Sequence, residues 1–234
     1  AASVGTASDA LDTDVASLSL SASGAAYLKE ASGLTVSSAS TGVLSLATGG
    51  ATELQSLTAT GSVTLVSSAG TLTVGSITAT GQAVSLSTAG ALIDGDVQVD
   101  ITAQSLSITA ASVGTASDAL DTDVASLNLT ASGDAYLNEA SGLTVSSAST
   151  GVLNLSTGGA TALQTVNASG HVSVSLSAGD LTVGSITATN KAVSLSTTGA
   201  VLDGDTAVDI TAQSLSITAA SVGTASDALD TDVA

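Results

Sequence analysis

The side chains that could do chemistry in this chain are nearly all carboxylates. Asp and Glu number 20 against two Lys and one His, with no Cys and a formal net charge of −18 over 234 residues. The acidic residues stand singly among β-branched ones, and their spacing matters more than their number. Measured from Leu86, Asp94, Asp96 and Asp100 lie 8, 10 and 14 residues on; measured from Ile108, Asp118, Asp121 and Asp123 lie 10, 13 and 15 on; Glu139 lies 10 after Leu129. If those leucines and isoleucines mark successive turns of one winding backbone, three turns bring carboxylates to a common edge. Asp203, Asp205, Asp209, Asp227, Asp230 and Asp232 repeat the arrangement further along. Like charges about 5 Å apart repel unless solvated or neutralised. Two readings follow. One is an acidic column that takes Ca²⁺, which accepts several carboxylate and carbonyl oxygens in flexible geometry, with turns such as Ile93–Asp96 supplying both. The other is a solvated acidic edge that keeps a β-rich polymer soluble. The glycine-rich calcium nonapeptide is absent, which favours the edge.

Other chemistry is poorly supplied. His171 is the only histidine and stands where the sister repeat has Ser62. One His allows no recurring Ser–His–Asp set, and there is no thiol nucleophile or Arg clamp. Paired carboxylates could cleave a sugar, but no basic or aromatic platform accompanies them. The chain is therefore expected to be no enzyme, with calcium the one cofactor to consider. The acidity excludes a phosphate-neutralising patch, so nucleic acid is not an expected partner. No apolar run approaches the ~20 residues of a membrane helix, and Tyr27 and Tyr136 alone cannot form a barrel's aromatic girdles.

The elements that must position these residues follow from a repeat. AASVGTASDALDTDVASL begins at Ala1 and again at Ala110, and its opening returns at Ala219. The chain is thus copy 1 (1–109), copy 2 (110–218) and the start of a third (219–234), the full copies differing at 24 of 109 positions. Inside each copy lie five apolar–x–apolar marks: Leu18/Leu20, Leu44/Leu46, Val63/Leu65, Val84/Leu86 and Leu106/Ile108. From the second members the steps are 26, 19, 21 and 22, then 21 to Leu129. Between them come Gly, Ser and Thr clusters and further alternating segments such as Leu72–Thr78, which read as turns and strands. The core must be narrow, because Ala, Val, Leu and Ile without Phe, Trp or Met cannot fill a wide one.

The expected fold is all-β: a parallel β-helix, or solenoid, with about five coils of 19–26 residues per copy, each burying its apolar face on its neighbours. Tandem immunoglobulin-like sandwiches are disfavoured by the shorter period. With no Met in the chain, an internal segment of a longer protein is expected. Tyr27 and Tyr136 are expected as local caps over the 26-residue coil, Ser21 to Leu46, and that coil is the place to look for a ligand. Asn128, Asn154 and Asn167 head Asn-x-Ser/Thr triplets, which chance supplies in so Ser/Thr-rich a chain.

The segment VGTASDALDTDVASLSLSASGAAYLKEASGLTV (Val4–Val36, nearly repeated from Val113) resembles a recurrent block of filamentous-haemagglutinin-like large bacterial exoproteins. LTVGSITATG and ALIDGD–VQVDITAQSLSIT are similar to the same family's β-strand repeats. The resemblance implies a right-handed parallel β-helix, secreted and exposed at the cell surface, working as adhesin, fibre or biofilm matrix. It implies homotypic partners, by self-association or continuation of the same solenoid, with a host or matrix glycan as the alternative. Ala10 and Ala119 stand where such blocks often carry Pro, and no secretion domain accompanies the repeats, so the export route and any ligand residues do not carry over.

Overall fold

The computed structural model describes all 234 residues, Ala1–Ala234, and every regular element in it is a β-strand. The strands pair in parallel into one solenoid of about 11 turns. No helix is long and apolar enough to cross a membrane.

Two ladders run the length of the solenoid. In copy 1 the second ladder is built from straight strands: Ala26–Glu30, Leu44–Thr48 and Val63–Ser67, then the ends of Ile77–Thr88 and Ile101–Ala110. Alternation decides which side chains point inward. Leu46 stacks on Leu65, Leu65 on Leu86, Leu86 on Ile108 and Ile108 on Leu129, as the sequence period predicts. The first ladder is bent. Leu34–Thr41 makes one bend; the next coil splits it into Thr52–Leu54 and Leu57–Ala59, and the coils after that into a short strand and the start of a long one, as Leu72–Val74 with Ile77–Thr88. The 52 residues of the core form a single cluster, nearly all Leu, Val, Ile and Ala. Each buried Leu or Val contributes about 1.5–3 kcal/mol of transfer free energy.

The period read from sequence is right in kind and wrong at one step. Leu20 pairs with Ala39 in the first ladder, while Leu46 pairs with Leu28 in the second. The 26-residue coil from Leu20 to Leu46 therefore does not exist; that stretch is a full coil plus part of another. Register partners lie 18 residues apart at Leu28 and Leu46 and 24 apart at Ile77 and Ile101. Alternating apolar pairs look alike on either ladder, so the spacing alone could not say which side Leu20 occupies.

One consequence is that a 109-residue copy is about five and a half coils rather than five. Leu44–Thr48 lies in the second ladder, but its equivalent in copy 2, Leu153–Thr157, continues the first ladder on Ala135–Glu139. Conversely the bent segment Leu143–Thr150 sits on the second-ladder end of Leu120–Ala131. Successive copies thus exchange ladders, and pairing continues unbroken across the boundary, Ala103 with Val124 and Ile108 with Leu129.

Close stacking also dictates the corners. At Gly158 a Cβ would fall on the carbonyl oxygen of Ala140 one coil earlier, so only glycine fits. Where Gly81 turns with φ +72°, copy 2 has Asn190 at φ 60°, the side chain that tolerates this region best. Buried hydroxyls close other corners: Ser67 donates to Gly50 O at 2.8 Å and Thr88 to Gly70 O at 2.9 Å.

Candidate functional site

The longest coils carry the aspartates. Between Ala91–Asp94 and Ile101 the chain leaves the ladder for a loop, Asp94-Gly-Asp-Val-Gln-Val-Asp100; copy 2 repeats it as Asp203-Gly-Asp-Thr-Ala-Val-Asp209. The loop is pinned to the coils on both sides. Gly95 N donates to Val74 O and Gly204 N to Val183 O, each at 2.7 Å; Asp100 N donates to Asp121 O and Asp209 N to Asp230 O, each at 2.9 Å. Within it, Asp96 N donates to Asp94 Oδ1 at 2.7 Å and Asp205 N to Asp203 Oδ1 at 2.8 Å. These are side-chain-to-backbone turns of the kind Asp favours.

The last aspartate of each loop is withdrawn from solvent. Asp100 and Asp209 are both 0 % exposed. Oδ2 of each accepts from the next coil, from Asp121 N at 2.9 Å and Asp230 N at 2.7 Å. Oδ1 of each has no hydrogen-bond partner. Burial pushes the Asp100 carboxyl up to about 8, against the Asp121 N–H bond that lowers it; Asp94, Asp121 and Asp96 add repulsion. A carboxyl at that value is protonated at neutral pH. Asp94 is itself raised, by burial first and then by Asp118 and Asp121, with the Asp96 N–H and the Asp100 hydrogen bond opposing. Asp209 is raised less, to about 6, by burial opposed by the Asp230 N–H, with Asp203, Asp205 and Asp230 adding repulsion.

The structure therefore gathers part of the expected column. Asp94, Asp96, Asp100, Asp118 and Asp121 act on one another in copy 1, as do Asp203, Asp205, Asp209 and Asp230 in copy 2. Asp123 instead accepts from Ser141 Oγ at 2.9 Å, on the outer face of its strand. Asp227 closes a turn with Thr224 through its backbone, and Asp232 is exposed on Thr231–Val233.

Glu139 is a correction. It lies inside the corner beside Thr122, its register partner, and is 3 % exposed. It accepts from Thr122 Oγ1 at 2.9 Å and from Val124 N, Ser141 N and Ser141 Oγ at 3.0 Å each. Glu30 is held alike by Thr13, Val15 and Ser32. The signal was present: Ala26 and Leu28 point inward, so alternation puts Glu30 inward too, and a Ser two residues on supplies its donors.

The remaining candidates are surface features. His171 is exposed in a turn. Tyr136 does not cap a long coil; it lines a shallow cleft with Thr115, Ser117 and Ala119. Another open cleft, about 360 Å³, runs along the first ladder between Ala16, Leu34, Thr52 and Thr73, with Glu53 its only charged group. No protein-family model, curated protein or solved structure matches the chain.

Proposed function

We propose that this chain is a stretch of stiff extracellular rod, a surface fibre or adhesin stalk whose work is length and rigidity rather than catalysis. The observation that carries the reading is the unbroken register across the copy boundary, where Ala103 meets Val124 and Ile108 meets Leu129. A hinge between copies would interrupt these ladders. Because each copy templates the next, more copies mean more length at constant stiffness. The half-coil offset supports this too: it alternates the bent and straight segments between ladders, so no single face accumulates the bends. The partner implied is more of the same solenoid, and the place is the cell surface, as the exoprotein resemblance suggests.

Proteins of two, three and four copies, imaged by electron microscopy, test it. Five and a half coils at ~4.8 Å each predict that every copy adds about 26 Å to a straight particle. Beads joined at flexible angles would overturn the reading. The alternative, a module that recognises a glycan or receptor through a long coil, loses its location, since Ser21–Leu46 is no enlarged coil.

A further inference from the structure

We infer that the Asp203–Asp209 loop is a divalent-cation site of the calcium class, formed by Asp203, Asp205 and Asp209. One carboxylate oxygen from each lies within 4.8 Å of the others. That gathering alone would describe any acidic turn. The second observation is the buried Oδ1 of Asp209, wholly shielded from water yet without a hydrogen-bond donor. A buried carboxylate oxygen in this state is costly unless a donor or something positive faces it. The chain offers no such group: its lysines are Lys29 and Lys191, neither in the loop nor in the coil that covers it.

The geometry suits a hard cation. Every ligand offered is oxygen, which disfavours zinc and copper. The site is graded from buried Asp209 through half-buried Asp203 to exposed Asp205, so water can complete the shell from outside. Ca²⁺ takes six to eight oxygens irregularly, whereas Mg²⁺ demands a near-ideal octahedron. The loop is also held before any ion arrives. Gly204 N is tied to Val183 O, Asp209 N to Asp230 O, and one oxygen of each aspartate is already engaged by Asp205 N, Ala207 N or Asp230 N. A bound ion would close the loop between Ala200–Asp203 and Ile210–Thr218 and hold its backbone anchors to the coils on either side in place.

Calorimetric titration of the whole chain with CaCl₂ in 0.15 M NaCl tests this, beside Asp205→Asn and the copy 1 control Asp96→Asn. Asp205 is exposed, so its replacement leaves the core intact. The expected result is one saturable Ca²⁺ per chain, weakened on the order of tenfold or more in Asp205→Asn, unchanged in Asp96→Asn, and weaker for Mg²⁺. Chelator should then lower the melting temperature of the wild type and of Asp96→Asn, but not that of Asp205→Asn. No saturable heat at millimolar Ca²⁺, or equal binding by the Asp205→Asn chain, would overturn the site. So would many weak equivalents, the mark of a diffuse acidic surface.

Discussion

The two aspartate loops share the pattern Asp-Gly-Asp-x-x-Val-Asp and the same anchors, yet they hold their charge differently. In copy 1 Asp94 is 9 % exposed and Asp100 rises to about 8, so at neutral pH the Asp100 carboxyl keeps its proton. In copy 2 Asp203 is half-buried and Asp209 reaches only about 6, so the loop is anionic. The difference lies in what is stacked above. Asp100 is covered by Leu120–Val124, which is covered in turn by Ala135–Glu139. Asp209 lies under Thr231–Val233, whose three residues are exposed. In a solenoid, a side chain's environment is set by its own sequence and also by the strand stacked on it.

The largest expected effect comes from thinning that cover. Leu120 is 0 % exposed and stacks on Leu137. Leu120→Ala should cost about 2–5 kcal/mol in chemical denaturation, as large-to-small core changes do. It should also draw the Asp100 carboxyl down toward the value of Asp209, read by carbon NMR. A destabilised protein whose Asp100 titration stays put would show that cover is not the cause.

Next in size is the proton itself. Asp100 titrates at about 8 when folded against an ordinary 3.8. Between those values the unfolded chain releases a proton that the folded chain keeps, so its stabilising contribution is full below about 4 and gone above about 8. Asp100→Asn should remove that slope, since the amide oxygen can accept from Asp121 N while its NH₂ faces Asp94. At pH 8.5 the variant should be the more stable, by on the order of 1–3 kcal/mol after relaxation of the site. Parallel stability–pH curves for variant and wild type would contradict the assignment.

The parts of this molecule legible in its sequence are those set by period two and by the repeat. The stack Leu46, Leu65, Leu86, Ile108 and Leu129 was readable because each mark recurs near one coil length. The placement of Leu18 and Leu20 was not, because alternation is the same on both ladders and only the number of residues in the corners assigns a strand to one. The same ambiguity hid the half-coil offset between copies. The Asp94–Asp100 loop was visible as an acidic cluster, but not the burial of Asp100 and Asp209, which depends on Asp121 and Asp230 one coil later. Glu139 was misplaced, and Glu30 not singled out, for a different reason: charge suggests the outside, and the corner donors that outweigh it are Thr and Ser, residues this chain has everywhere.

Those two glutamates allow the finest form of the comparison. Their donors are the same in kind, yet they titrate in opposite directions. Burial raises Glu139 above the ordinary 4.5, its four hydrogen bonds opposing without prevailing. Burial also acts on Glu30, but there the bonds from Thr13, Val15 and Ser32 prevail and the carboxyl falls below 4.5. The valine whose N–H each carboxylate accepts differs in the same sense: Val124 beside Glu139 is 2 % exposed, Val15 beside Glu30 41 %. The signs follow. A raised carboxyl stabilises most below its unfolded value and loses that contribution as pH rises through the folded one; a lowered carboxyl contributes above its unfolded value and loses it as pH falls. Urea denaturation of Glu139→Gln and Glu30→Gln between pH 3 and 7 should therefore give opposite slopes against wild type. The wild-type advantage should shrink with pH at Glu139, by less than about 1 kcal/mol, and grow with pH at Glu30. Slopes of one sign would mean that the donors alone, and not the burial of the strand that carries them, decide how a buried carboxylate is held.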